Sequence, residues 1–303
     1  MINAQKSVGA VESRWATGGR VERARKWLLR FGRRQPLGTF GAFIVLLTVL
    51  VAILAPVIAP YGVNETNLGS RLVGPSMDHL MGTDNLGRDQ FSRIVYGTRV
   101  IVQVSGGAVL AGMALAVSVG LISGYFGGWL DTVIQRFVDA WMSFPTLVLL
   151  LALVAVLGPG IWQVIGVLAL LIGVGGIRVV RAATLGFRDA TFVEAARAVG
   201  AGPGRVVLRH IAPNLVGPVM VLTTLGLSTA ILAEAALSFL GFGIPPPAPS
   251  WGRMLSGSTA SYIYVAPWLA IFPGIAISVV VFGINMLGDA LRDELDPRLR
   301  DSR

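Results

Sequence analysis

The chain has 303 residues, of which 54% are hydrophobic and only 14% charged, a balance of polytopic membrane proteins rather than soluble domains. Lysine and arginine outnumber the acids by 25 to 16; in so apolar a chain that surplus points to membrane orientation and lipid headgroups, and nucleic acid is set aside. There is no cysteine, which excludes disulfides, thiol catalysis and Cys-ligated metals; the two histidines, His79 and His210, are too distant in sequence to suggest a metal site, and His79 reads as a surface loop residue.

Residues 1–37 carry nine basic side chains against Glu12 and Glu22 and read as a cytoplasmic tail. The apolar run that follows exceeds the ~7–15 residues of a signal-peptide core, so no cleaved leader is expected. Within the tail, Val21–Phe31 fits an amphipathic interface helix and an unstructured basic segment equally well. The first span is Gly38–Ala59, 22 residues without a charge. At a helical rise of ~1.5 Å per residue that is about 33 Å, enough to cross a bilayer. Residues 60–99 form a polar, turn-rich outer loop. Its Met81–Asp89 stretch holds glycines, Asp84 and Asp89 but lacks the alternating acids and closing Glu of a calcium loop.

The second span is expected near Val100–Phe126, where Gly120-x-x-x-Gly124 and Gly124-x-x-x-Gly128 let helix backbones touch in ordinary bundle packing. After a turn at Gly127–Asp131 the third span runs to Leu157, kinked at Pro145. Arg136 and Asp139, three residues apart near its inner end, fit a local salt bridge better than a proton site. Gly158-Pro159-Gly160 turns the chain into a fourth span, Ile161–Ile177.

Residues 181–213 form a basic loop between spans. Thr191 stands three residues before Glu194, the spacing of a capping box, which predicts a helix from about Phe192. Gly200 ends it in a left-handed cap, Pro203 opens a second helix after Gly202, and Pro213 closes that one. Ala195, Ala196 and Ala198 leave the first helix thin, while Arg197, Arg205, Arg209 and His210 supply positive charge. On spacing alone, a solvated connection and a docking surface are equally good readings.

The fifth span begins near Asn214 and continues towards Leu240, with Glu234 twenty residues in. That is about 30 Å along the axis, close to the outer surface. Glu234 there is a structural partner for loop backbone amides, the favoured reading, or an outer gate residue. An outer loop, 241–266, contains Pro245, Pro246, Pro247 and Pro249 before Trp251, stiff enough for a ledge or a lid. The sixth span lies near Val265–Leu287 with Pro267 and Pro273 in its outer half, and residues 289–303 form a second tail. With both tails inside, twenty of the 25 basic residues fall on inner segments and five, Arg71, Arg88, Arg93, Arg99 and Arg253, on outer ones. This asymmetry obeys the positive-inside rule and puts the 181–213 loop in the cytoplasm.

Glu194-Ala195-Ala196, Gly200 and Pro213 together resemble the EAA loop of ABC-importer membrane subunits, the element that docks into the ATPase. That motif's usual I-x-L-P ending is His210-Ile211-Ala212-Pro213 here, with Ala212 in place of Leu. Four further stretches agree in order with peptide-importer permeases: G-T-D-x-L-G-R-D at Gly82–Asp89, Ser143-Phe144-Pro145, Ile231–Gly241 and Gly288–Leu299. From about Pro36 onward the chain resembles the C-type permease of bacterial dipeptide, oligopeptide and nickel ABC importers.

The resemblance implies an all-α polytopic membrane protein, a type I importer permease of six transmembrane helices with a cytoplasmic coupling loop. It implies a homologous B-type permease partner, two cytoplasmic ATPases or one used twice, an extracytoplasmic solute-binding protein and surrounding lipids, in the bacterial inner membrane. Thr191, Glu194, Ala195, Ala196, Arg197, Gly200, Arg205 and Pro213 are then the ATPase-coupling residues. Arg88, pairing with both Asp84 and Asp89, forms a packed external cap, and Glu234 and Phe239 belong to the cap or an outer gate. The only lysines are Lys6 and Lys26, and neither sits in a phosphate-cradling G-x-x-x-x-G-K-[ST] loop. ATP and Mg are therefore expected on partner subunits, with no cofactor, metal or catalytic site in this chain; G-x-S-x-G and H-E-x-x-H patterns are missing too. The competing readings are import of nickel or another small solute, an ion-driven secondary transporter, and a scaffold without transport.

Overall fold

Pro36 opens the first long helix, α1 (Pro36–Ile58), its fixed φ and missing N–H costing nothing at a helix start. The computed structural model describes Gly32 and residues 34–257 and 261–295; the Val21–Phe31 segment and most of both tails lie outside them. Beyond α1 come α2 (Gln90–Phe126), α3 (Gly128–Met142), α4 (Thr146–Leu157), α5 (Ile161–Arg188), α6 (Thr191–Ala198), α7 (Val216–Phe239), α8 (Trp251–Met254) and α9 (Trp268–Leu295). The described residues contain no strand, only an isolated bridge between Thr83 and Asp89. In lipid this is the economical solution, since a helix satisfies its own backbone groups where no water can.

Among the described residues five stretches are long and apolar enough to cross a membrane, and the pair α3 and α4 makes a sixth if counted as one broken span. The break is sharper than a proline kink: the two helices meet at 93°. Ser143 N–H still bonds Asp139 C=O at 3.1 Å, but Pro145 is extended at ψ 123° and has no N–H to continue the ladder. The second span also departs from its expected start near Val100. The Asp89 carboxylate caps the Ser92 N–H at 2.7 Å and starts α2 ten residues earlier, so Arg93 and Arg99 lie on the helix rather than in the loop. Likewise α5 runs on past Ile177 to Arg188, carrying Arg178 and Arg181 on helical turns. α9 continues through Asp289 to Leu295, so the start of the expected second tail is helical.

The core is centred on α2 against α5. A methyl at Gly120 or Gly124 of α2 would stand 2.7 Å from Val180 Cβ or Thr184 Cβ of α5, so only glycine lets the two backbones approach this closely. Val104, Ala108, Val109, Leu168, Ile172 and Val180 fill the seam, and Leu215, Ala230 and Leu237 close it from the α7 side. A second cluster, including Ile101, Ile231, Trp251, Val280 and Ile284, joins α2, α7 and α9. By contrast Phe40, Phe43, Leu46, Ile53 and Val57 of α1 are exposed, as suits a helix bordering lipid or another membrane subunit.

Successive spans alternate in direction, leaving two loop layers. At one end lie residues 59–89 and 240–267, fastened to the helices where Trp268 Nε1 of α9 donates to Thr83 C=O at 3.2 Å and Trp251 Nε1 donates to Ile94 C=O of α2 at 3.0 Å. At the other lie Gly127, α3 and the segment 189–215.

Candidate docking loop

The amphipathic sequence of α6 sorts its side chains cleanly. Val193 and Ala196 turn inward and are buried, Val193 in one cluster with the fully buried Val206 and Ile211. Phe192, Glu194, Ala195, Arg197 and Ala198 stay exposed, and Val199 at the tip is 86% exposed. The surface available to a partner therefore includes Ala195 but not Ala196, a correction to the expectation that both dock. An i, i+3 pair of apolar residues defines the inner face, and Ala196 belongs to it with Val193.

The expected capping box does not form. Ala190 occupies the N-cap and Thr191 is the first helical residue, so no side chain caps the start. Glu194 keeps only the favourable placement of an acid in a first helical turn. The end of the helix agrees with the sequence reading. Gly200 has φ +86°, its N–H bonds Arg197 C=O at 2.9 Å, and Ala201 N–H bonds Ala196 C=O at 3.0 Å, the paired bonds of a Schellman motif.

Beyond it Gly202 is the N-cap of a single turn, Pro203–Arg205, as expected, but Pro213 does not end a second helix. The chain passes through a π-helical stretch, Val206–Ile211, and a 3-10 turn, Ala212–Leu215, and merges into α7. The wide turn absorbs the donor that Pro213 lacks, while Asn214 Nδ2 donates to His210 C=O at 2.6 Å. Arg205, Arg209 and Pro213 are exposed, and Ala212 packs partly buried against the core.

Aromatic and ionic contacts fasten this loop to the spans. The Arg197 guanidinium lies 5.6 Å from the centre of the Tyr125 ring at the end of α2, and Phe192 meets Phe187 of α5 at 6.5 Å between ring centres. Arg188 Nη1 donates to Tyr125 C=O at 3.4 Å. One layer deeper, Arg181 of α5 forks onto Asp131 of α3 with two bonds of 2.5 Å. Ser123 of α2 donates to the same carboxylate at 2.5 Å and accepts from Gln135 Nε2 at 3.1 Å. Asp139 does pair with Arg136, at 3.7 Å, but its closer partner is Arg178 of α5. No spacing rule links positions 131 and 181; only the fold brings them together.

At the opposite end Asp84 and Asp89 have separate partners. Arg88 Nε donates to Asp84 at 2.6 Å, whereas Asp89 meets His79 Nδ1 at 2.9 Å and caps α2. The expectation that Arg88 joins both acids is thus corrected, because Asp89 points back to the helix it starts. His79 is partly buried against Asp89 and the Tyr61 ring rather than free on the surface. Glu234 is 1% exposed and accepts from Ser238 Oγ at 2.7 Å and Ser250 Oγ at 2.8 Å, hydroxyls rather than the backbone amides expected. Phe239 is half exposed, one helical turn and more beyond it. Ser238, four residues after Glu234, was within reach of a helical-spacing argument; Ser250 and Trp251, across a loop, were not.

Residues 116–301 match the family described as the binding-protein-dependent transport system inner membrane component, and residues 26–75 match the N-terminal transmembrane domain of oligopeptide transport permease C. The dipeptide transport system permease protein of Alkalihalophilus pseudofirmus is 43% identical over 269 residues, covering 88% of each chain. The glutathione transport system permease protein of Escherichia coli O6:K15:H31 is 42% identical over 269 residues, again 88% of each chain. Its counterpart in Pectobacterium atrosepticum is 39% identical over 277 residues, 91% of each.

Proposed function

The chain belongs to the binding-protein-dependent transport system inner membrane component family, and on that premise we propose that it forms half of a translocation pore for small peptides. It is a membrane-spanning permease subunit of an ATP-driven importer, working with ATPase and binding-protein partners. A homologous B-type permease supplies the other half of the pore, and two cytoplasmic ATPases bind ATP and Mg. Peptides are the solute class towards which the names of the dipeptide and glutathione relatives point. The basic residues of the loop end favour a cytoplasmic 189–215 and cytoplasmic termini.

The observation that carries the mechanism is the exposed face of α6, Glu194, Ala195 and Arg197, held to the spans by Tyr125 and Phe187, with the Asp131–Arg181 fork tying α3 to α5 beneath it. ATP closes the ATPase pair; α6, seated on it, moves as a rigid body. Arg197 and Phe192 pass that movement to α2 and α5, and the fork carries α3 along with α5. The energy comes from the ATPases' different affinities for nucleotide in two states, and the permease turns that difference into inward- and outward-open pores.

The test is a transporter assembled in proteoliposomes with its partners, wild type against Gly200→Leu and Gly200→Asn. A leucine forced to φ +86° costs roughly 1–2 kcal/mol, and its Cβ would stand in open space with no atom within 4 Å, so the chain is expected to assemble while the loop is displaced. Gly200→Leu is expected to lose most of the ATPase stimulation by loaded binding protein, and Gly200→Asn, which tolerates this conformation, to keep it. Full stimulation in Gly200→Leu rejects the coupling role of the loop.

A further inference from the structure

The loop layer opposite α6 holds a cavity of about 180 Å³, bounded by residues of 84–93, 246–257 and the start of α9. Its wall contains three arginines, Arg88, Arg93 and Arg253, and one acid, Asp84. Asp84 is already engaged: one oxygen accepts the N–H groups of Leu86 and Arg88 at 2.8 and 3.0 Å, the other accepts Arg88 Nε at 2.6 Å. Arg93 spends Nη1 on Val63 C=O at 3.1 Å and stands 3.9 Å from Asp84.

Arg253 has no such arrangement. Its Nε is buried and finds no hydrogen-bond acceptor among the described residues. Of the buried Glu234 carboxylate, Oε1 accepts from Ser238 and Ser250, while Oε2 has no donor among the described residues. In the cavity wall three guanidiniums face Asp84 alone, which leaves positive charge in surplus, and a buried donor lacks an acceptor at the same place. A monovalent, planar, oxygen-bearing group answers both, since guanidinium forks match carboxylates in geometry as well as charge.

We propose that this cavity is a carboxylate-binding site, and that Arg253 is the group that seizes the carboxylate. The site rests on the reading that this layer faces outward, where two carboxylates reach it: an acidic side chain of the binding protein and the free C-terminus of a peptide. In either case it holds an incoming partner or solute at the mouth of the pore rather than within it.

The experiment uses the whole complex in nanodiscs, with wild-type, Arg253→Gln or Arg253→Lys chains. Docking of its binding protein is titrated, and so is binding of dialanine and of dialanine amide without that protein. Arg253→Gln is expected to weaken one of the two by about tenfold, with Arg253→Lys intermediate and the difference shrinking at high salt. Weaker docking identifies the binding protein's side chain as the source. Weaker dialanine binding, with the amide already weak on the wild type, identifies the peptide terminus. If Arg253→Gln assembles poorly, acetate against chloride at equal ionic strength on the wild-type complex gives the same answer, since acetate competes for the site. Unchanged docking and unchanged dialanine binding in Arg253→Gln, or no acetate effect, overturns the proposal. Binding-protein-stimulated ATPase activity of the wild type is read in parallel, so that failure of the importer reading is separable from failure of the site.

Discussion

Asp131 shows how much of the docking end depends on a residue outside any motif. It receives two nitrogens of Arg181 and the Ser123 hydroxyl, and its side chain is mostly shielded, so its removal strands a half-covered guanidinium. Asp131→Ala is expected to lower the thermal stability of the purified protein by about 1–2 kcal/mol, and Arg136→Ala, whose side chain is 81% exposed and whose pair spans 3.7 Å, by much less. Equal Tm shifts for the two variants contradict this ranking. The sequence named Arg136 and Asp139 because they are three apart, and the local pair exists; it could not name Asp131 and Arg181, fifty residues apart on different helices. Gly200 was legible for the converse reason, since a left-handed helix end is written in a single residue and its neighbours. Thr191 misled because its spacing to Glu194 permits a capping box, whereas the backbone puts Ala190 at the cap.

Among elements, five spans and the broken α3–α4 pair were legible because long, predominantly apolar runs have few other uses, but their ends were not. Hydropathy reports where a helix enters lipid and says nothing about how far it continues in water; α2 and α5 extend about ten residues beyond their apolar runs, anchored by Asp89 and Arg188. Pro145 and Pro213 both read as helix breakers, yet one makes a right-angled corner and the other is absorbed into a π-helical turn, because only the surrounding packing decides which carbonyls can be re-satisfied. The small-residue pattern on α2 had a definite target after all, α5. Gly124→Leu drives a side chain into Thr184 and the Arg181 carbonyl and is expected to abolish recovery of monodisperse protein on size exclusion. A Cβ at Gly106 on the same helix meets no atom within 4 Å, and Gly106→Leu is expected to behave as wild type in that assay. Similar loss in both variants removes the claim that Gly124 is a contact and not merely a flexible position.

For the molecule as a whole we propose that the end carrying α6 faces the cytoplasm and the opposite loop layer faces outward, with the helices coupling the two. The absence of native cysteine makes both ends addressable by single substitutions. Met77, 95% exposed, and Val199, 86% exposed, lie in opposite loop layers. A membrane-impermeant maleimide applied to intact cells whose outer surface is accessible is expected to label Met77→Cys and to reach Val199→Cys only after permeabilisation; the reverse pattern inverts the topology. The most direct trial of the central claim is site-specific cross-linking within the assembled transporter. Ala195→Cys carrying a short photo-activated cross-linker is expected to capture an ATPase subunit, while the inward-facing Ala196→Cys captures none. An Ala195→Cys adduct without ATPase, or ATPase captured instead from Met77→Cys, contradicts the assignment of α6 as the element through which the motor acts.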